Sequence, residues 1–416
     1  MDNGKKRIGF DLKRLFVSGA VVLLSCLVTF MTTYNVMQNR HRTEIAGLVE
    51  KYKDAEKTDE TLEYMKAIVG SYFYGQAVEW GESDSEDAAY RAYAAALNDK
   101  YTEYMSPDEY KSWTDKMNGN LVGIGVMVAY DSTKTQITVI ASFPGSPAES
   151  AGLCKGDIIT AVDGRKVSEI GYQGAIDAIK GESGTTVALT VSRDGVEHVC
   201  EVERKAVRTL SVLSKLLENG RTGLVSIIQF DETTPEQFEN AVESLVKAGA
   251  TELVFDLRDN PGGDLESVLS VLSYILPKDS TLIRIISKDG EVQTRESDSD
   301  HTLDVPMAVL TNGSTASAAE LFTSCLRDYE KITVVGTKTY GKGCMQSLFP
   351  LPNGGAFKVT TRMYEPPKSG SYHVTGILPD VSEEASEILK RSNLLLIDEK
   401  DDNQLQAAIS ALINNK

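Results

Sequence analysis

From Gly223 onward the chain alternates short apolar runs with longer amphipathic ones, and this alternation restricts its fold more than any other feature. "GLVSIIQF" precedes "TPEQFENAVESLVKAG", and "TELVFDLRD" precedes a helical pattern over residues 264–276. "VPMAVLT" precedes a further helical run that starts after Ser317 and leads into "KITVVGT". Strand and helix periods taken in turn predict an α/β core. The last two strands and the helix between them read as a βαβ-like unit, so both strand ends can face one edge of the sheet. Active sites of such folds gather at that edge.

Three turns at strand ends carry chemistry. "NGSTASAAE" (312–320) places Ser317 where a strand passes into a helix, a position that can present a nucleophile, and Ser314 reads as a turn or cap residue. A serine hydroxyl needs a neighbour to take its proton. The four histidines, His41, His198, His301 and His373, occur in no G-x-S-x-G or chymotrypsin-like setting. "TYGKGCMQS" (339–347) offers Lys342 between two glycines after "KITVVGT". A lysine is a base only when neutral, and burial in an apolar pocket lowers its pKa from about 10.4. Gln346 can hold that amine without adding charge. By spacing alone, a solvated loop lysine is the favoured reading of Lys342. "FDLRDNPGGD" (255–264) ends a strand in glycines whose N–H groups can approach a ligand closely.

Upstream the period differs. Residues 121–143 alternate like paired strands, and "TVALTVSRDGVEHVCEVER" reads as a hairpin about Asp194-Gly195. Residues 44–118 have helical patterns throughout, including "SPDEYKSW" with Ser106 as N-cap and Pro107 in first position. Lys5, Lys6, Arg7, Lys13 and Arg14 precede an uncharged stretch, 15–39, with an apolar heart at 16–31. That length suits a membrane-crossing helix of about 20 residues with its N-terminus in the cytoplasm. No clean small-x-small cleavage site follows, which favours an uncleaved signal anchor. The formal charge of −17 argues against a nucleic-acid surface. Five cysteines without a C-x-x-C pair support no zinc or thioredoxin-type site, and no metal or cofactor is expected.

Together these segments resemble the C-terminal processing peptidases, or tail-specific proteases, from about Thr58 to the end. "DLRDNPGG", "NGSTASAAE" and "GKGCMQS" occur in that family's order and spacing; "VGIGVMV" with "PAESAGLCKGDIITAVDG" is similar to its PDZ module, and "GILPDV" to its C-terminal signature. Thr315 and Met345 stand where relatives often carry smaller residues. The resemblance implies Ser317 as nucleophile, Lys342 as general base supported by Gln346, and the backbone amides of Gly263 and Ala318 as oxyanion hole. It implies that Gly123, Ile124, Gly125 and Val126 bind a substrate tail, that the PDZ module gates activity, and that Arg193 is a candidate sensor.

The expected architecture is α+β and multidomain. It comprises a basic stub and transmembrane anchor (1–39), a helical region suited to dimerisation (40–118), a PDZ-like β module (119–205), an α/β protease core of crotonase/ClpP-like type (206–382) and a C-terminal helical segment (383–416). The expected protein is a single-pass membrane-anchored serine endopeptidase acting outside the cytoplasm on proteins with free C-termini, as a homodimer. A non-catalytic PDZ scaffold binding C-terminal tails is the alternative. A trypsin-like PDZ protease would need a His-Asp-Ser arrangement that this chain lacks.

Overall fold

A computed structural model describes residues 82–118, 120–131 and 136–414. The expected anchor and the first half of the helical region lie outside the described residues. No helix among the described residues is long and apolar enough to cross a membrane.

The chain divides into two compact units. Among the described residues, the first comprises 82–107 together with 348–359. It holds the helix Glu82–Ala96 and the short strand Glu103–Met105, which pairs antiparallel with the start of the strand Ala356–Glu365. The region expected to be all helix therefore contains a strand. Three residues carry no readable period, and their pairing partner lies far along the chain. Tyr104 anchors this unit: its buried hydroxyl donates to Asp87 at 2.6 Å and accepts from Asn353 at 2.8 Å.

The second unit comprises residues 108–347 and 360–416. Within it, strands Val126–Asp131, Gln136–Ser142, Ile158–Val162, Thr186–Arg193 and Val196–Glu203 form an antiparallel sheet in that order. The helix Val167–Ile179 covers one face, and Ile137, Val139, Ile159, Val187, Leu189 and Val191 fill its core. Val187, Leu189 and Val191 of the strand Thr186–Arg193 are buried and the residues between them are not, as period two requires. The hairpin turns at Asp194 and Gly195, both at positive φ, the requirement of a type I′ turn. Strands Asn120–Gly123 and Lys205–Arg208 pair at the entry and exit of this module.

The α/β core is a six-stranded sheet. Its central strands Thr222–Ile227, Glu252–Asp256, Met307–Thr311 and Ile332–Gly336 run parallel. Val212–Leu216 joins one edge antiparallel and Val381–Ser382 the other edge in parallel. Successive residues face opposite layers: Leu253 and Phe255 meet the helices Thr234–Lys247, Leu265–Ile275 and Ala318–Asp328, whereas Val254, Ala308 and Leu310 meet the closing helix Asn403–Asn414. Burial on both faces makes these strands continuously apolar rather than alternating. A smaller antiparallel sheet packs Thr281–Ser287 between Val292–Glu296 and the end of Ala356–Glu365.

Candidate active site

The site is built where three parallel strands end. After Met307–Thr311 the chain turns through residues 312–316. The Asn312 side chain accepts the Ser314 N–H at 3.0 Å, and Thr315 Oγ1 donates to Leu257 O at 2.8 Å while accepting the Asn312 N–H at 3.0 Å. Ser314 is thus a turn residue. Ser317 follows at φ +55 and ψ −118, immediately before the helix Ala318–Asp328. A non-glycine residue in that region is strained, and such strain characterises presented nucleophiles.

The turn after Glu252–Asp256 packs against it. Asn260, fully buried, donates to Ile227 O at 2.7 Å and accepts the Gly262 N–H at 2.8 Å, while its carbonyl accepts the Ala316 N–H at 3.0 Å. Gly262, at φ +97, lies so close that a Cβ there would stand 2.7 Å from both Ala316 O and Ser317 Cβ. A Cβ at Gly263 would overlap Phe230 O at 1.9 Å. Only glycine fits either position. The Gly263 and Ala318 amides make no hydrogen bond to other described residues.

The third turn carries Lys342, which is half-buried. Its N–H donates to Glu320 Oε2 at 2.7 Å, and the Ser317 N–H donates to the same oxygen at 2.9 Å. The other oxygen, Oε1, accepts Gly341 N–H at 2.7 Å and Thr339 Oγ1 at 2.6 Å. One fully buried carboxylate therefore ties the serine turn to the lysine turn, and a Tyr340 N–H bond to Thr315 O at 3.0 Å repeats the link. Tyr364 Oη donates to Lys342 O at 2.7 Å. Burial pushes the Tyr364 hydroxyl well above its ordinary pKa. His373 Nδ1 accepts the Gly343 N–H at 3.2 Å, which makes the ring a backbone brace of the lysine turn. Gln346 Nε2 donates to Thr360 Oγ1 at 3.1 Å and approaches Cys344 Sγ at 3.4 Å.

The remaining sequence-derived residues lie in the β module. Ile124 is buried, and its carbonyl accepts Ala148 N–H at 2.8 Å; the Gly125 carbonyl accepts Phe143 N–H at 2.8 Å and Ser146 Oγ at 3.0 Å. Gly123 ends the entry strand and Val126 begins the edge strand of the sheet. Arg193 pairs with Asp157, Nε and a terminal nitrogen each at 2.7 Å, and donates to Gly152 O at 2.7 Å. That guanidinium holds the Asp157 carboxyl below its usual range. His301 is stacked on Tyr274 at 3.8 Å and bonded to its carbonyl. No metal-holding cluster occurs among the described residues, and Cys154, Cys200, Cys325 and Cys344 form no disulfide with one another.

Glu320, Asn260, Tyr364 and Arg258 were not singled out from sequence. Glu320 had a signal, because "SAAE" has the spacing of a capping box. Arg258 had none. Its buried guanidinium bonds Asp256 at 2.6 Å and Asp402 at 2.7 Å across the sheet, and also reaches Gln404 at 3.1 Å. Burial works against this charge, but the two carboxylates outweigh it and hold Arg258 protonated.

Comparison with known proteins finds matches for both the α/β core and the β module. The model for peptidase family S41 matches residues 221–383, and that for the PDZ domain matches residues 139–193. A CtpA-like serine protease of Staphylococcus haemolyticus is 30% identical over 381 residues, 91% of this chain and 74% of its own length. A carboxyl-terminal-processing protease of Picosynechococcus sp. is 33% identical over 341 residues, 80% of this chain and 81% of that protein. The solved structure of an S41 protease from Bacteroides fragilis shares the fold, with a TM-score of 0.54 at 18% identity, covering 78% of this chain and 90% of that one.

Proposed function

Because the chain belongs to the C-terminal processing peptidases of family S41, we propose that it is a serine endopeptidase working through a Ser317–Lys342 dyad and cleaving proteins at or near their C-termini. The neutral Lys342 amine takes the Ser317 hydroxyl proton as Oγ bonds to the scissile carbonyl carbon. The amides of Gly263 and Ala318 donate to the oxygen that becomes negative. Collapse expels the amine, which receives the proton from Lys342, and leaves an acyl-enzyme. Water then attacks with Lys342 again as base, and Ser317 leaves protonated. Gln346 keeps the lysine amine in place without raising its pKa, as a carboxylate would.

The observation that carries this reading is the Glu320 carboxylate, which takes N–H bonds from Ser317 and Lys342 on one oxygen. That link holds the backbone of the lysine turn beside the backbone of the serine turn, which a shared proton requires.

Substrate choice belongs to the PDZ module. The strand Val126–Asp131 is an edge of its sheet, so an extended tail can add there while amides of residues 123–126 take its carboxylate. Tail binding gates the protease, with Arg193 as its sensor. Residues 16–31 anchor the chain in the cell membrane with the protease outside the cytoplasm, and the N-terminal region pairs two copies.

The test uses full-length protein in detergent with a loosely folded protein ending in an apolar residue. Cleavage by the wild type that Ser317→Ala and Lys342→Ala both abolish, with unchanged melting temperatures, is expected. Cleavage surviving Lys342→Ala would return the search for a base to the histidines. Tight tail binding without cleavage by any form would make the protein a scaffold.

A further inference from the structure

Val374 occupies a backbone conformation that its own side chain opposes. At φ +68 it lies in the left-handed region, where a branched Cβ crowds the neighbouring backbone. The other non-glycine residues at positive φ among those described are Asn98, four aspartates, Glu330 and Ser317, so Val374 alone is β-branched. Burial does not compensate, because the residue is 75% exposed. The same loop uses glycine two residues later, at Gly376 with φ +70.

The strained residue is fastened to the lysine turn. Its N–H donates to Gly341 O at 2.9 Å, and a Cβ at Gly341 would stand 3.0 Å from its carbonyl carbon. The preceding His373 accepts the Gly343 N–H. Both glycines around Lys342 thus hold this loop, and Val374 projects its isopropyl group to solvent beside them. Tyr340, on the other flank of Gly341, is a second large apolar side chain left 45% exposed. Strain of this kind persists where the surroundings over-determine it, and it concentrates at ligand-contacting sites.

We propose that Val374 is a specificity-determining contact: its side chain forms an apolar wall against the substrate side chain next to the scissile bond, and the strained backbone is what presents it there. This rests on the protease reading of Ser317 and Lys342. The ligand is a polypeptide with an apolar side chain at that position. Its binding covers surface that the free protein leaves in water.

The test measures kcat/KM of the full-length protein on peptides that differ only at the two residues flanking the cleaved bond, with leucine, alanine, glycine or aspartate at each in turn. Val374→Gly, which any φ suits, is expected to melt at the same temperature or higher. It should lose roughly tenfold in kcat/KM on the leucine peptide and change less than about twofold on the glycine peptide, the scale on which apolar contacts discriminate. Val374→Thr, of the same shape but polar, should keep its melting temperature and lose part of the leucine preference. An equal loss on every peptide would make the loop merely a brace, and no loss on any would remove the contact; either overturns the proposal. Cleavage that needs Ser317 yet ignores Val374 would sink this inference alone. Absence of cleavage by the wild type would sink it together with the protease reading.

Discussion

At the scale of single residues, Glu320 accepts four hydrogen bonds on a side chain with no solvent exposure. Two of its donors belong to the residues proposed to share a proton. Glutamine at this position offers one carbonyl oxygen and turns an NH₂ toward donors, leaving buried N–H groups without acceptors at about 1–3 kcal/mol each. Glu320→Gln is therefore expected to lower kcat at least ~10-fold and to change KM little. Circular dichroism should still report a folded core. Full kcat in a folded Glu320→Gln protein would show that the bridge is only structural. Asn260 and Gly262 act in the same way on the other side of Ser317: the first spaces the turn with its amide, and the second contributes by having no side chain.

At the scale of elements, the strand Glu103–Met105 shows how much a local pattern can miss. Its place depends on Tyr104, whose ring is buried and whose hydroxyl sits between Asp87 and Asn353. Burial, with Asp87 adding to it, pushes this hydroxyl up to about 12 from an ordinary value near 10. The folded form thus holds its proton more tightly than the unfolded one. The resulting stability is complete below pH 10 and disappears as pH rises from 10 to about 12. Hydrogen exchange of residues 103–105 and 356–358 is expected to quicken over that window in the wild type. In Tyr104→Phe, which has no hydroxyl to ionise, exchange should be faster at neutral pH and lack that step. An identical step in Tyr104→Phe would assign it to another group. The core strands behave differently, because Leu253, Val254 and Phe255 are apolar on both faces and their pattern is legible without partners.

At the scale of the whole molecule, the proposal joins tail recognition, cleavage and a membrane anchor in one chain. If the PDZ module gates the site, an uncleavable peptide with an apolar free C-terminus is expected to raise kcat several-fold toward a separate substrate, and its C-terminal amide should not. Equal rates with and without the peptide would leave the module as a tether only. The cluster of Arg258, Asp256, Asp402 and Gln404 has a similar long reach: it joins the end of a central strand to the start of the closing helix.

The amino-acid sequence by itself determined the alternation that makes an α/β core, the hairpin at Asp194-Gly195, the helix started by Pro107, and three glycine- or serine-bearing turns. These features depend on local periodicity and on backbone conformations that only a few residue types adopt. It also placed Ser317, Lys342 and the Asn260–Gly263 turn at strand ends, where a parallel sheet can gather them. Only the tertiary structure decided that Glu320 joins the serine and lysine turns, that His373 braces Gly343, that Tyr364 lies against Lys342 O, and that Arg258 binds Asp402. Each of these bonds spans many residues of chain, and any one of several acidic, aromatic or basic side chains would satisfy the same local pattern. The sheet register selects among them, because it sets which strand ends lie side by side and so which side chains are left within hydrogen-bond reach.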